Sequence, residues 1–237
     1  MTRLACLLFA LALPAAAQER QIREALEPKL GGAKIEGVQP TPVPGVYEVR
    51  LQTPEGPRIV YSDEKGSHIF MGRLIDVRND RDLTDERMQK LSAIDFGKLP
   101  LDLALKVQRG SGKRQIAMFT DPYCPYCRRL EQTLLQIDDI TVYVFMYPVI
   151  RSDLADHSRA VWCAKDRVKA WLDLAALERP KVPEAASCPN PVDKVLQLGR
   201  AMRINATPTL FLANGERIGA GMEVGALRRK LDEVSRK

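Results

Sequence analysis

The chain has 237 residues, and its 36 lysines and arginines against 30 aspartates and glutamates leave a net charge of +6. A surplus this small and dispersed gives no footprint for nucleic acid, and the one tight basic cluster, Arg228-Arg229-Lys230, reads as a solvated helix face. Two histidines, His68 and His157, and five cysteines leave little from which to build a metal site.

Residues 1–17 combine an early Arg3, an apolar run from Leu4 to Leu13 and Ala15-Ala16-Ala17 before Gln18, the pattern of a cleaved secretory signal. That run is too short to span a bilayer and no later segment approaches the required length, so the expected product is exported without stable membrane insertion. Cys6 leaves with the signal. Removing 17 residues from 237 takes only Arg3 among the charges and leaves 220 residues with a net charge of +5. That length fits two modest domains.

From Gln18, Ile22, Leu26 and Leu30 recur at helical spacing, with Pro28 ending or kinking the helix near Glu27. Short runs rich in Val, Ile, Tyr and Phe then read as strands over 34–38, 46–51, 58–61, 68–71 and 74–77, separated by Pro- and Gly-containing turns. The spacing predicts a small, mostly antiparallel α+β domain over 18–80 in which His68 is a strand residue rather than a ligand. Asp82 to Glu86 can cap a helix carrying Met88, Leu91 and Ile94, read as a linker over 81–100. Leu101, Leu103, Leu105 and Val107 alternate with Asp102, Ala104 and Lys106 as a half-buried strand opening the second domain, 101–237.

The chemistry concentrates next. Ile116 to Phe119 read as a buried strand, Leu130, Leu134, Leu135 and Ile137 as the apolar face of a helix, and Cys124 and Cys127 stand between them as a Cys-Pro-Tyr-Cys pair. Unpaired backbone N–H groups and the positive end of the helix dipole favour a thiolate at Cys124, and Cys127, one turn on, is placed to resolve a mixed disulfide. A Cys-x-x-Cys can also be half of a zinc site, but the remaining cysteines and histidines supply no second closely spaced pair. Asp121 reads as a turn or cap residue, with proton acceptor for Cys127 as its other role. Tyr123 and Tyr126 offer apolar contact to unfolded chains.

Beyond the pair, residues 141–147 read as a central strand, Ser152 and Asp153 as caps of a helical region running to about Leu177, and His157 as a solvated helix residue. A helix over 192–202, a hairpin turned at Asn214-Gly215 and a terminal helix from Gly225 follow. Cys163 and Cys188, left over in an exported chain, read as a structural disulfide whose loop closure stabilises the domain by roughly 3 to 4 kcal/mol.

The run Phe119-Thr120-Asp121-Pro122-Tyr123-Cys124-Pro125-Tyr126-Cys127 resembles the active-site segment of the DsbC/DsbG family of periplasmic disulfide isomerases. The resemblance implies an α/β architecture: a thioredoxin-like catalytic domain with a helical insertion, preceded by a small cystatin-like α+β dimerisation domain and a linker helix. Gly66 to Val77 is similar to the corresponding part of that dimerisation domain, through which two chains pair and hold their catalytic domains apart in a V. By the same resemblance Pro208 is a cis-proline opposite the cysteines, Thr207 contacts their sulfurs, and the neighbouring backbone pairs with an extended substrate. The second cysteine pair and Trp162 to Asp166 are similar to DsbC, whereas Pro125-Tyr126 between the active cysteines is similar to DsbG. The implied activity is disulfide isomerisation or reduction in misfolded exported proteins in the periplasm, with no cofactor and with the membrane reductase DsbD as electron source. The rival readings are a reductase of sulfenylated cysteines, as in DsbG, and a holdase chaperone with secondary redox activity.

Overall fold

The computed structural model describes residues 13–236 except 55, 178, 179, 185, 186, 219 and 220. Most of the expected signal segment, residues 1–12, lies outside these. The chain divides into two compact units, residues 1–91 and 92–237.

In the first unit, α1 (Leu13–Leu26) gives way to a 3-10 turn at Glu27–Lys29, because Pro28 cannot continue the α-helical hydrogen bonding. Strands β1 (Lys34–Pro40), β2 (Val46–Thr53), β3 (Gly56–Asp63) and β4 (Ile69–Phe70) form an antiparallel sheet in sequential order. Ile22 and Leu26 of α1 pack on Ile35, Val49, Leu51 and Val60 as its core. The strand expected over 74–77 is a two-residue ribbon, β5 (Ile75–Asp76), paired with β6 (Arg81–Asp82). His68 is not within a strand: it precedes β4, exposed, with Nδ1 2.8 Å from Asp63 Oδ2.

Helix α2 (Leu83–Leu91) is shorter than the linker helix its sequence suggests. It docks within the first unit: the Thr84 hydroxyl accepts from Leu74 N at 2.8 Å and bonds the buried Tyr61 hydroxyl, and Arg87 reaches Glu48 at 3.1 Å. Ile94 does not extend it. Its amide donates to Gly215 O at 2.9 Å in the second unit. Gly215 has φ 83°, and a Cβ there would stand 1.7 Å from Ile94 O, so this approach requires glycine.

In the second unit, Leu101–Leu103 is a 3-10 turn and β7 (Leu105–Arg109) begins later than the alternation implied. Leu101 and Leu103 pack with Phe96, Phe119 and Phe211, whereas Leu105 and Val107 pack with Ile116 and Val142. The period-two pattern therefore spans two different cores. Next come β8 (Arg114–Thr120), α3 (Pro125–Leu134) and β9 (Ile140–Met146), with β8 and β9 parallel and α3 as their crossover.

The expected single helical region is two helices, α4 (Ala155–Cys163) and α5 (Arg167–Ala175), the second capped by Asp166, which accepts from Lys169 N at 2.9 Å. Ser152 and Asp153 do not cap α4. They lie in a 3-10 turn, with the Asp153 carboxylate held by Arg151. Helix α6 (Val192–Ala201), the hairpin β10 (Thr209–Leu212) and β11 (Arg217–Ile218), and α7 (Val224–Ser235) complete the unit. Sheet order is β11-β10-β8-β9-β7. Alternation along β8 sends Ile116 and Met118 to a core with α3, α5 and α7, and Ala117 and Phe119 to a second core with α6.

Candidate active site

Strand β8 ends at Thr120 in the middle of the sheet, and Asp121, Pro122 and Tyr123 turn the chain into α3. The turn closes with Cys124 N donating to Asp121 O at 3.1 Å. Asp121 is fully buried, and its carboxylate is taken up by backbone amides: Oδ1 accepts from Tyr123 N at 2.8 Å and Oδ2 from Ile150 N at 2.7 Å. Of its two expected roles, this geometry is that of the turn residue.

Cys124 is the N-cap of α3, with extended φ and ψ of −81° and 120°, and Pro125 follows in the first helical position, where a missing N–H breaks no helical bond. Pairing of Thr209 with Phe119 brings the loop before β10 to the end of β8. There the Thr207–Pro208 peptide is cis, and Cys124 Sγ donates to Thr207 O at 3.3 Å. Cys127, one turn into α3, is deeper: it is 1% exposed, against 4% for Cys124. Both are free thiols.

Burial pushes the Cys127 thiol up to about 12; the Thr120 side chain and the Asp121 backbone amide oppose the rise, and the hydrogen bond and charge of Cys124 add to it. One sulfur thus occupies the anion-favouring end of a helix while the other, beneath it, holds its proton. Such a pair can attack a disulfide with the outer sulfur and discharge the mixed disulfide with the inner one.

Tyr126 is 65% exposed and lies under the Arg129 guanidinium, whose Cζ is 4.8 Å from the ring centroid. Pro125 is exposed as well. Cys163 at the end of α4 is bonded to Cys188, with S–S 1.98 Å and Cα–Cα 5.7 Å. His157 is not simply a solvated helix residue: it is half-buried, and its Nδ1 is hydrogen-bonded to the Tyr123 hydroxyl.

Glu131 was not singled out by sequence reasoning. It is buried, accepts from Trp171 Nε1 at 2.8 Å, and burial raises its carboxyl to about 7. The available signal was its spacing, four residues after Cys127 and between Leu130 and Leu134 on the face that α3 buries.

A family model described as a thioredoxin-like domain matches residues 101–235, and one described as the disulfide bond isomerase protein N-terminal domain matches residues 13–85. A Bordetella pertussis relative named "Probable thiol:disulfide interchange protein DsbC" is 38% identical over 214 residues, covering 90% of this chain and 74% of that one. The Escherichia coli protein named "Thiol:disulfide interchange protein DsbC" is 28% identical over 207 residues, covering 85% and 83%. Among solved structures, a disulfide interchange protein from Neisseria gonorrhoeae superposes with a TM-score of 0.54 at 36% identity, covering 58% of this chain and 99% of that one. With a thioredoxin-like sheet carrying two thiols at the start of a helix, and a relative 38% identical across 90% of its length, the chain belongs to the DsbC family of thiol:disulfide interchange proteins and is a thiol-disulfide oxidoreductase.

Proposed function

We propose that the chain isomerises non-native disulfides in exported proteins, with Cys124 as nucleophile and Cys127 as resolving thiol. The supporting observation is the asymmetry of the pair: Cys124 at the helix N-cap against Thr207 O, and Cys127 buried with its thiol raised. The Cys124 thiolate attacks one sulfur of a substrate disulfide; that S–S bond breaks, a mixed disulfide forms, and the other substrate sulfur leaves as thiolate. A substrate thiolate then displaces Cys124, so that no electrons are transferred overall. Alternatively Cys127 loses its proton and attacks the Cys124 sulfur, which releases reduced substrate and leaves a Cys124–Cys127 disulfide after transfer of two electrons. That product needs an external dithiol reductant, the role assigned to DsbD.

The backbone beside Thr207 and cis-Pro208 pairs with an extended substrate segment, and Pro125 and Tyr126 meet its side chains. The leader directs the chain to the periplasm. The first unit pairs two chains into a homodimer through the edge strand β4, where Ile69, Phe70 and Met71 are exposed.

The test is refolding of scrambled ribonuclease with purified mature protein. Cys124→Ser should abolish activity, and Cys127→Ser should accumulate a mixed disulfide through Cys124. Retained activity in Cys124→Ser would point to a holdase. Inactivity on scrambled substrate with turnover of a sulfenylated protein would select the reductase reading.

A further inference from the structure

Cys124 can be no better placed than the three-residue turn that carries it. Asp121 ties one side of that turn to the backbone. The other side is held by the side chain of Tyr123, the residue immediately before Cys124. Its hydroxyl is hydrogen-bonded to His157 Nδ1 on α4, and the two rings lie 5.7 Å apart between centroids. Because Tyr123 and Cys124 share a planar peptide bond, anchoring the Tyr123 side chain, and with it the Tyr123 Cα, restricts where the Cys124 N–H and Cα can lie.

Helix α4 is a firm support. Ala155, Ser158, Ala160 and Val161 bury one side of it, and its last residue, Cys163, is bonded to Cys188. Burial raises the Tyr123 phenol above its ordinary range, so the hydroxyl keeps its proton, and either it or the imidazole N–H can donate in this bond. The charged groups around the pair are Asp121 from the turn, Arg128 from α3, and Arg151 and Asp153 from the segment before α4. On α4 itself Asp156 and Arg159 are paired with each other at 2.8 Å.

We infer that Tyr123 and His157 are a positioning pair for the Cys124 nucleophile, through which the helical insertion holds the active-site turn in its attacking geometry. The inference rests on Cys124 being the nucleophile. It adds that part of this sulfur's reactivity comes from a hydrogen bond outside the Cys-x-x-Cys segment.

The experiment follows alkylation of Cys124 by iodoacetamide in the reduced mature protein, resolved by peptide mass spectrometry across a pH series, with thermal unfolding recorded in parallel. Tyr123→Phe and His157→Leu should each slow the reaction about 3- to 10-fold at neutral pH, the worth of one hydrogen bond, and the double variant should lose no more than either single one. His157→Gln keeps a hydrogen-bonding partner for the Tyr123 hydroxyl and should restore the wild-type rate. Wild-type rates in Tyr123→Phe and His157→Leu, or failure of a folded His157→Gln to recover, would overturn the inference and leave the nucleophile assignment standing. If Cys124 of the wild type is itself no more reactive than free cysteine, the proposed function fails first.

Discussion

Cys127 and Glu131 stand four residues apart on the face that α3 buries, and both are held toward their neutral forms by desolvation. For Cys127, the resolving thiol of the proposed mechanism, this keeps the proton on the sulfur of the free enzyme. For Glu131 it has a cost in stability. An unfolded glutamate ionises near 4.5 and the folded one at about 7, so between these values the unfolded chain has shed a proton that the native chain keeps. Stability therefore falls as pH rises through that window and stays lowered above it. Glu131→Gln retains an acceptor for Trp171 Nε1 and cannot ionise, so it should be close to wild type below pH 4.5 and more stable above pH 7, by up to roughly 3 kcal/mol. Denaturant titrations at both ends of the window measure the difference, and an equal offset at the two pH values would refute it. Spacing puts Glu131 on the apolar face of α3, but burial of its carboxyl is decided by what α5 brings against it.

At the scale of elements, the β8–α3–β9 crossover was legible. A buried strand, a Pro-containing turn and an amphipathic helix succeed one another in the order that a parallel pair requires. The break between α4 and α5 was not, although Asp166 caps α5 through Lys169 N only three residues after the Cys163–Cys188 crosslink. That crosslink closes a loop of 25 residues in sequence separation. Replacing both Cys163 and Cys188 by Ala should lower stability by roughly 3 kcal/mol, seen as a lower guanidinium midpoint. An unchanged midpoint would mean that the bond constrains little in the unfolded chain. The capping expected of Ser152 and Asp153 failed for a local reason: Arg151, two residues from Asp153, binds its carboxylate through both oxygens.

For the molecule as a whole, the chain carries its free thiols in one unit and an exposed apolar strand edge in the other. Phe70 is 53% and Met71 86% exposed at β4, the last strand of the first sheet. If this edge joins two chains, Phe70→Asp with Met71→Asp should sediment as a monomer. It should alkylate Cys124 at the wild-type rate and, if the dimer serves isomerisation, lose rescue of scrambled ribonuclease. A variant that remains dimeric would move the interface elsewhere.

The strand–helix–strand order around the two cysteines, and their place at the start of that helix, were available from the amino-acid sequence alone. Each is written in local terms: apolar period, turn residues and the spacing of two cysteines. Only the tertiary structure decided that Leu101 and Leu105 serve different cores, that Asp121 is spent on two amides, that Glu131 is buried, and that His157 reaches Tyr123. Those outcomes depend on contacts between segments tens of residues apart, and a side chain's burial and partners are properties of the packed neighbour as much as of its own position.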